Sequence, residues 1–225
     1  MHTAIDTGFL AREQLTKPRK KLKRCSSTAA VKLSPGQFLF HQGDDGDSIY
    51  RVTQGVVRLS RVTEKGRQQV VAFGYPGDIV GFPVAGCRNT DCDALTSARL
   101  EILPARLPRE GAGAEAEAAF LAAAALFEIG NMQEHLMTLG RKSSRERVSS
   151  FLCALLRRIG RHDPDGIHVD LPMSRADIAD FLGLRTETVS RAFTDLREAG
   201  IIELPTAQRV TVLDPVRLDE TAEVD

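Results

Sequence analysis

No run in the sequence approaches the ~18 consecutive apolar residues that cross a bilayer, so no membrane span is expected. The opening stretch MHTAIDTGFLAREQ lacks a continuous apolar segment and does not read as a secretory signal. Cysteine is scarce: 4 in 225 residues, at positions 25, 87, 92 and 153. They are too few and too scattered for a disulfide scaffold, which makes a reduced, cytoplasmic chain the expectation. Tryptophan is absent and the formal net charge is +0. Catalytic signatures are missing too: there is no G-x-S-x-G, no G-x4-G-K-[ST], no H-E-x-x-H and no G-x-G-x-x-G. No catalytic residue is nominated, and an enzyme is not expected.

What is present is a 42% hydrophobic composition, enough for a real core in one or two domains. The balanced charge is unevenly placed. Residues 17–24, KPRKKLKR, hold six basic residues in eight, whereas Asp214 to Asp225 hold five acids and one Arg. A neutral total can therefore hide a basic face. Residues 1–30 read as a basic tail, either simply solvated or contacting phosphates. Residues 214–225 read as an acidic tail.

From 31 to about 111 the pattern is β. Short apolar runs (FLF, IYRV, VVRLSRV, QQVVAF, DIVGF, ARLEIL) alternate with Gly-rich turns such as SPGQ, QGDDGD, TQG, EKGR and YPGD. Short strands with turn residues between them predict a sandwich or barrel-like roll. The pattern then changes. Across 112–140 the chain is Ala-rich, then Leu/Met-rich, without Pro. Ala118, Ala122, Ala125, Ile129, Met132, Leu136 and Leu139 alternate spacings of four and three, a coiled-coil-like seam on a helix ~40 Å long. A second apolar face holds Phe120, Leu121 and Phe127. A homodimer is expected, with Ile129, Met132, Leu136 and Leu139 at the twin helix and the second face on the roll; the alternative is a helix packed only within its own chain.

An amphipathic helix is predicted from Ser143 or Ser144 to Ile159. GRHDPDG then reads as a turn-rich linker, and its cluster of His162, Asp163, Asp165 and His168 is not assigned as a metal site. IHVDL reads as a short strand. Residues 172–204, PMSRADIADFLGLRTETVSRAFTDLREAGIIEL, carry the functional reading. Ser174 is a good N-cap with Asp177 three residues on; Gly183 breaks that helix. Thr186 is read as a second N-cap, with a helix from Glu187 to Ala199 ended by Gly200. Two short helices about a tight Gly turn make a helix-turn-helix, and IIELPTAQRVTVLD supplies two short strands as a wing. Ile178, Leu182, Leu184, Val189 and Phe193 are its expected core.

On the second helix Glu187, Ser190 and Arg191 stand at i, i+3 and i+4 and share a face. Arg can fork onto guanine O6 and N7, Glu can accept from an exocyclic amine, and Ser can serve a base or phosphate. A good bidentate pair gives ~1–3 kcal/mol of base discrimination. Glu187 and Arg191 also suit a surface ion pair worth ~0.3–0.5 kcal/mol. Base reading is favoured because the trio opens the second helix of the motif. Ser174, Arg175, Arg185, Thr186 and Thr188 are candidates for the DNA backbone.

These motifs resemble the CRP/FNR superfamily of bacterial transcription regulators over residues 31–213. GDDGDSIYRVTQGVVRLSRVTEKGRQQVVAFGYPGDIVGF resembles the family's β-roll, MTLGRKSSRERVSSFLCALLRR the end of its dimerisation helix and the next helix, and MSRADIADFLGLRTETVSRAFTDLREAGII its helix-turn-helix. The resemblance implies an α+β fold: a cyclic-nucleotide-binding-like β-roll (jelly roll) at 31–111, a dimerisation helix at 112–140 and a winged helix-turn-helix at 141–213. Glu187-x-x-Ser190-Arg191 resembles the FNR and FixK branch. That implies a palindrome of TTGA-type half-sites in double-stranded DNA, with Arg191 on the guanine, and recruitment of RNA polymerase as an activator.

The departures bear on cofactors. Family members that hold a cyclic nucleotide carry Gly-Glu followed by Arg-Ser or Arg-Thr; here Gly81-Phe82 stands first and Arg88 precedes Asn89. Members with an iron–sulfur cluster use clustered N-terminal cysteines and one in the roll; here the tail has only Cys25, and Leu100 stands at the roll position. No cofactor and no metal are expected. Cys87 and Cys92, at C-x4-C, read as exposed ordinary thiols in the loop after Gly81-Phe82, with redox switching as the alternative. Cys153 reads as a small buried hydrophobe. Two rivals stand beside the DNA-reading regulator: a sensor gated by an effector, metal or oxidant in the roll, and a scaffold that binds no DNA.

Overall fold

The computed structural model describes residues 29–63, 66–105, 114–163 and 166–223. The basic stretch 17–24 and Cys25 lie outside them.

Eight strands build the N-terminal roll: β1 (Ala30–Leu33), β2 (Phe38–Phe40), β3 (Ser48–Gln54), β4 (Val57–Val62), β5 (Gln68–Gly74), β6 (Ile79–Val80), β7 (Asp91–Ala94) and β8 (Ala98–Pro104). They form two four-stranded antiparallel sheets, ordered β1-β8-β3-β6 and β2-β7-β4-β5. Leu33, Phe40, Val52, Val57, Val80, Ala94 and Leu100 fill the space between them. The turn between β3 and β4 needs glycine: Gly55 has φ +80, and a Cβ there would lie 2.2 Å from the Ser97 carbonyl oxygen. Strand β7 is where the sequence expectation fails. Its DCDA looks polar, yet Cys92 is 0% exposed between the sheets, and Asp93 is buried opposite Arg58 in the β4–β7 register. Cys92 therefore sits in a strand and not in the exposed loop.

Helix α1 (Ala114–Arg141) follows, 28 residues and ~42 Å long. Its inner face meets the roll at Phe120 and Leu121, whereas Phe127, expected on the roll as well, meets an arginine of the helix that follows. Leu121 is buried, Phe120 lies under the Arg51 guanidinium, and Phe127 under that of Arg158. Helix α2 (Ser144–Ile159) starts on a full capping box between Ser143 and Glu146. Cys153 is buried on it, as predicted.

The supposed linker is a hairpin instead: β9 (Arg161–Asp163) pairs with β10 (Gly166–Asp170), His162 standing opposite Ile167. The Pro and Gly of this stretch suggested a loop, but Gly166 already belongs to β10. Helices α3 (Arg175–Leu182) and α4 (Thr186–Glu198) precede the wing strands β11 (Ile202–Thr206) and β12 (Arg209–Val212). The wing joins the hairpin in one sheet, ordered β11-β12-β10-β9. The stretch read as an acidic tail folds too. Helix α5 (Pro215–Ala222) is capped by the Asp214 side chain, and it buries Leu218 and Ala222. The acids are on its outer side, with Asp219 and Glu220 exposed. Charge count concealed the i, i+4 pair of apolar residues that holds it.

The roll and the C-terminal helices share one hydrophobic core. Val70, Phe73 and Tyr75 of the roll lie in the same cluster as Phe151 and Leu152 of α2 and Ile178 and Leu182 of α3. Phe181 completes the joint. Its ring is 5.3 Å from Phe73, 6.0 Å from Phe151 and stacked 4.1 Å from His135 of α1. Burial holds the His135 pKa below its ordinary value, despite a hydrogen bond with the Phe181 backbone.

Candidate nucleic-acid interface

Helix α3 opens as its sequence predicts. The Asp177 N–H donates to Ser174 Oγ at 3.1 Å, and Asp177 Oδ2 accepts from the Ser174 N–H at 2.9 Å. Gly183 ends it in the left-handed conformation, φ 62, where a side chain would be strained. The turn closes as the Leu184 N–H donates to the Ala179 carbonyl at 2.9 Å. Across this turn Ile178, Leu182, Val189 and Phe193 are all buried, and Leu184 is half-buried beside them.

Helix α4 differs in one detail. Thr186 is its first residue and not its cap; Arg185 occupies the cap position and makes no side-chain cap hydrogen bond. On α4, Val189, Ala192, Phe193 and Leu196 face inward. The remaining face is fixed by the 3.6-residue period. Glu187, Ser190 and Arg191 are all exposed on it, together with Arg185 and Thr186; Thr188 is half-buried. Among the described residues no ion pair within 4.0 Å joins Glu187 to Arg191, and no hydrogen bond occupies the Ser190 hydroxyl. The surface ion-pair alternative is thus not realised.

The flanking candidates divide. Ser174 is exposed at the start of α3. Arg175 is half-buried, its guanidinium 3.5 Å from the Phe193 ring centroid, and burial lowers its pKa. In the wing, Arg209 Nε donates to Asp170 at 2.8 Å, which outweighs burial and lowers the Asp170 pKa.

Helix α1 presents its seam outward. Ile129 is 50% exposed, Met132 58% and Leu136 66%, with Leu126 and Met137 beside them. Leu139 does not continue this stripe. It is half-buried near the Gly183 turn, and its carbonyl accepts from Arg147 Nη2 at 2.8 Å. Arg147 also donates to the carbonyls of Lys142 and Leu182, so one guanidinium ties the end of α1 to the end of α3. That residue gave no local signal; its partners lie up to 35 positions away.

Cys87 is exposed, but Cys92 is buried, and burial, reinforced by Asp93, pushes its thiol up to about 12. The expected exposed pair is therefore one exposed and one enclosed thiol.

A β-roll joined through a long helix to a winged helix-turn-helix is the architecture of a DNA-binding transcription regulator. Residues 146–221 match the Crp-like helix-turn-helix domain family and residues 30–108 the cyclic nucleotide-binding domain family. The chain is 38% identical over 184 residues to the nitrogen fixation regulation protein FixK of Rhizobium meliloti, covering 82% of each. It is 34% identical to the transcriptional activatory protein AadR of Rhodopseudomonas palustris, covering 85% of this chain and 80% of that one. Among solved structures, FixK2 of Bradyrhizobium japonicum superposes with a TM-score of 0.79 at 28% identity, covering 88% of this chain and 99% of that one. The chain belongs to the CRP/FNR family of transcription regulators. Within it, the FixK-named proteins are among its relatives, and the family's members are regulators, not enzymes.

A cyclic nucleotide does not fit the roll. Arg88, the basic residue after Gly81-Phe82, is 4% exposed. Its two terminal nitrogens donate to the Gly81 and Ser48 carbonyls, and its guanidinium is 4.4 Å from the Phe40 ring centroid. A phosphate would have to break those bonds, and Phe82 offers no carboxylate for a ribose. Among the described residues no group of His, Cys, Asp or Glu could hold a metal ion, and no helix is long and apolar enough to cross a membrane.

Proposed function

We propose that the chain works as a homodimeric activator in the cytoplasm, reading a palindrome of TTGA-type half-sites. Arg191 takes the guanine through O6 and N7, Glu187 the amine of a neighbouring base, and Ser190 a thymine or its backbone. Ser174, Arg185, Thr186 and Thr188 are assigned to the phosphate contacts that fix register, whereas Arg175, an early candidate for that role, is stacked on Phe193 and supports the motif from within. The stripe of Ile129, Met132 and Leu136 pairs with a second copy, so that two α4 helices enter successive major grooves ~34 Å apart. The bound dimer recruits RNA polymerase.

One observation carries this reading: Glu187, Ser190 and Arg191 share an exposed face of α4 while the opposite face is core. Selection of bound duplexes from a random pool tests it, run reduced and oxidised. Enrichment of two TTGA-type half-sites about one helical turn apart is expected. A pool without sequence preference overturns it, and enrichment in only one redox state makes the thiols a gate.

A further inference from the structure

Beside the apolar joint, one ion pair links the roll to the first turn of α3. Arg58 lies on β4 directly opposite Asp93 of β7. Its Nε donates to Asp93 Oδ1 and its Nη2 to Asp93 Oδ2, both at 3.0 Å. This two-pronged contact fixes the guanidinium plane within the roll. The remaining terminal nitrogen, Nη1, donates across the joint to Asp177 Oδ1 at 2.5 Å. Asp177 is the third residue of α3, and its other oxygen already holds the Ser174 N–H and hydroxyl. A second roll residue meets the other end of the same helix: Gln69 of β5 donates to the Asp180 carbonyl. Helix α3 is thus held near both ends by the roll, and it holds α4 through the Gly183 turn. The exposed face of α4 stays unobstructed in this docked arrangement.

We propose that Arg58 is a positioning residue for DNA recognition: by bridging Asp93 and Asp177 it fixes the angle at which the roll presents α4, and so sets the half-site spacing that the protein accepts. The inference rests on the dimeric DNA-reading function above. Arg58 touches no base. It narrows the range of α4 orientations before binding, which lowers the ordering cost of engaging two half-sites together.

The test measures binding of the full chain to palindromes at the preferred spacing, one base pair shorter and one base pair longer. It compares wild type, Arg58→Met, Asp177→Asn and the double variant. Asp177→Asn keeps an oxygen for the Ser174 N–H and removes the charge that Arg58 meets. Wild type should discriminate sharply between spacings. Each single variant should bind the preferred duplex about tenfold more weakly and discriminate less between spacings, while the penalty for replacing the half-site guanine stays at its wild-type value. The double variant should match either single one, because both remove the same bridge. Single variants that keep the wild-type spacing profile overturn the proposal and leave the DNA-reading function standing. So do single variants whose melting curves show an unfolded chain, since Arg58 would then be structural only. A wild type indifferent to the palindrome overturns both.

Discussion

At the residue scale the decisive contrast is between side chains spent on the fold and side chains left over. Arg147 and Arg88 are consumed by backbone carbonyls, and Arg175 is laid on Phe193. Arg191 is free of such duties. Replacing it with Ala should weaken binding by ~1–3 kcal/mol and flatten the preference at the guanine. A consensus-to-scrambled ratio equal to wild type in a band-shift would contradict the role. Asp177 yields a pH prediction. Burial alone would raise its pKa, but hydrogen bonds from Ser174 and Arg58 prevail and hold it below the ordinary aspartate value. Its stabilisation is then fully present above the unfolded value of ~3.9 and lost as pH falls through the lower folded one. The melting-temperature gap between wild type and Asp177→Asn should therefore close between pH ~5 and pH ~2. A gap constant across that window would show that the carboxylate adds nothing. The shared face of Glu187, Ser190 and Arg191 was legible in the sequence because their spacing alone puts them on one side of a helix. Arg58 was not, since its partner Asp177 is 119 positions away and only tertiary packing brings them together.

At the scale of elements, amphipathic period decided what could be read. The helix-turn-helix was plain because Ser174, Gly183 and the apolar residues of α3 and α4 all point to the same fold. Helix α5 was hidden behind its acids, and β9 behind a turn-rich composition. Strand β7 was missed because Asp93 is buried as an ion-pair partner, which a hydropathy pattern scores as loop. The seam of α1 was read one position too far. The end of the helix is claimed by α3, so Leu139 turns inward and Met137 remains outside. Placing charges at Ile129→Asp and Leu136→Asp should split the proposed dimer, because unpaired carboxylates would be buried between two helices. Sedimentation velocity would show a monomer, and an undiminished dimer would refute the interface.

At the scale of the whole molecule, a neutral total charge is compatible with DNA binding because the charge is unevenly placed along the chain, six basic residues in 17–24 against five acids and one Arg from Asp214 to Asp225. Much of the affinity should come from Lys and Arg on phosphates, so log K should fall steeply and linearly with log salt. Removing residues 1–24, with their six basic residues in KPRKKLKR, should leave base preference unchanged in a selection experiment. An altered consensus would show that this segment reads bases.

The core common to the two halves has a practical corollary. A fragment beginning near residue 141 would carry the complete reading motif, yet it would strip Phe151 and Phe181 of Phe73 and leave those rings in water. Such a piece should be sticky and short-lived, and heating the intact chain should produce one cooperative transition with no half-molten plateau. Trimming this regulator down to a portable DNA-binding cassette would require new polar residues on the bared surface.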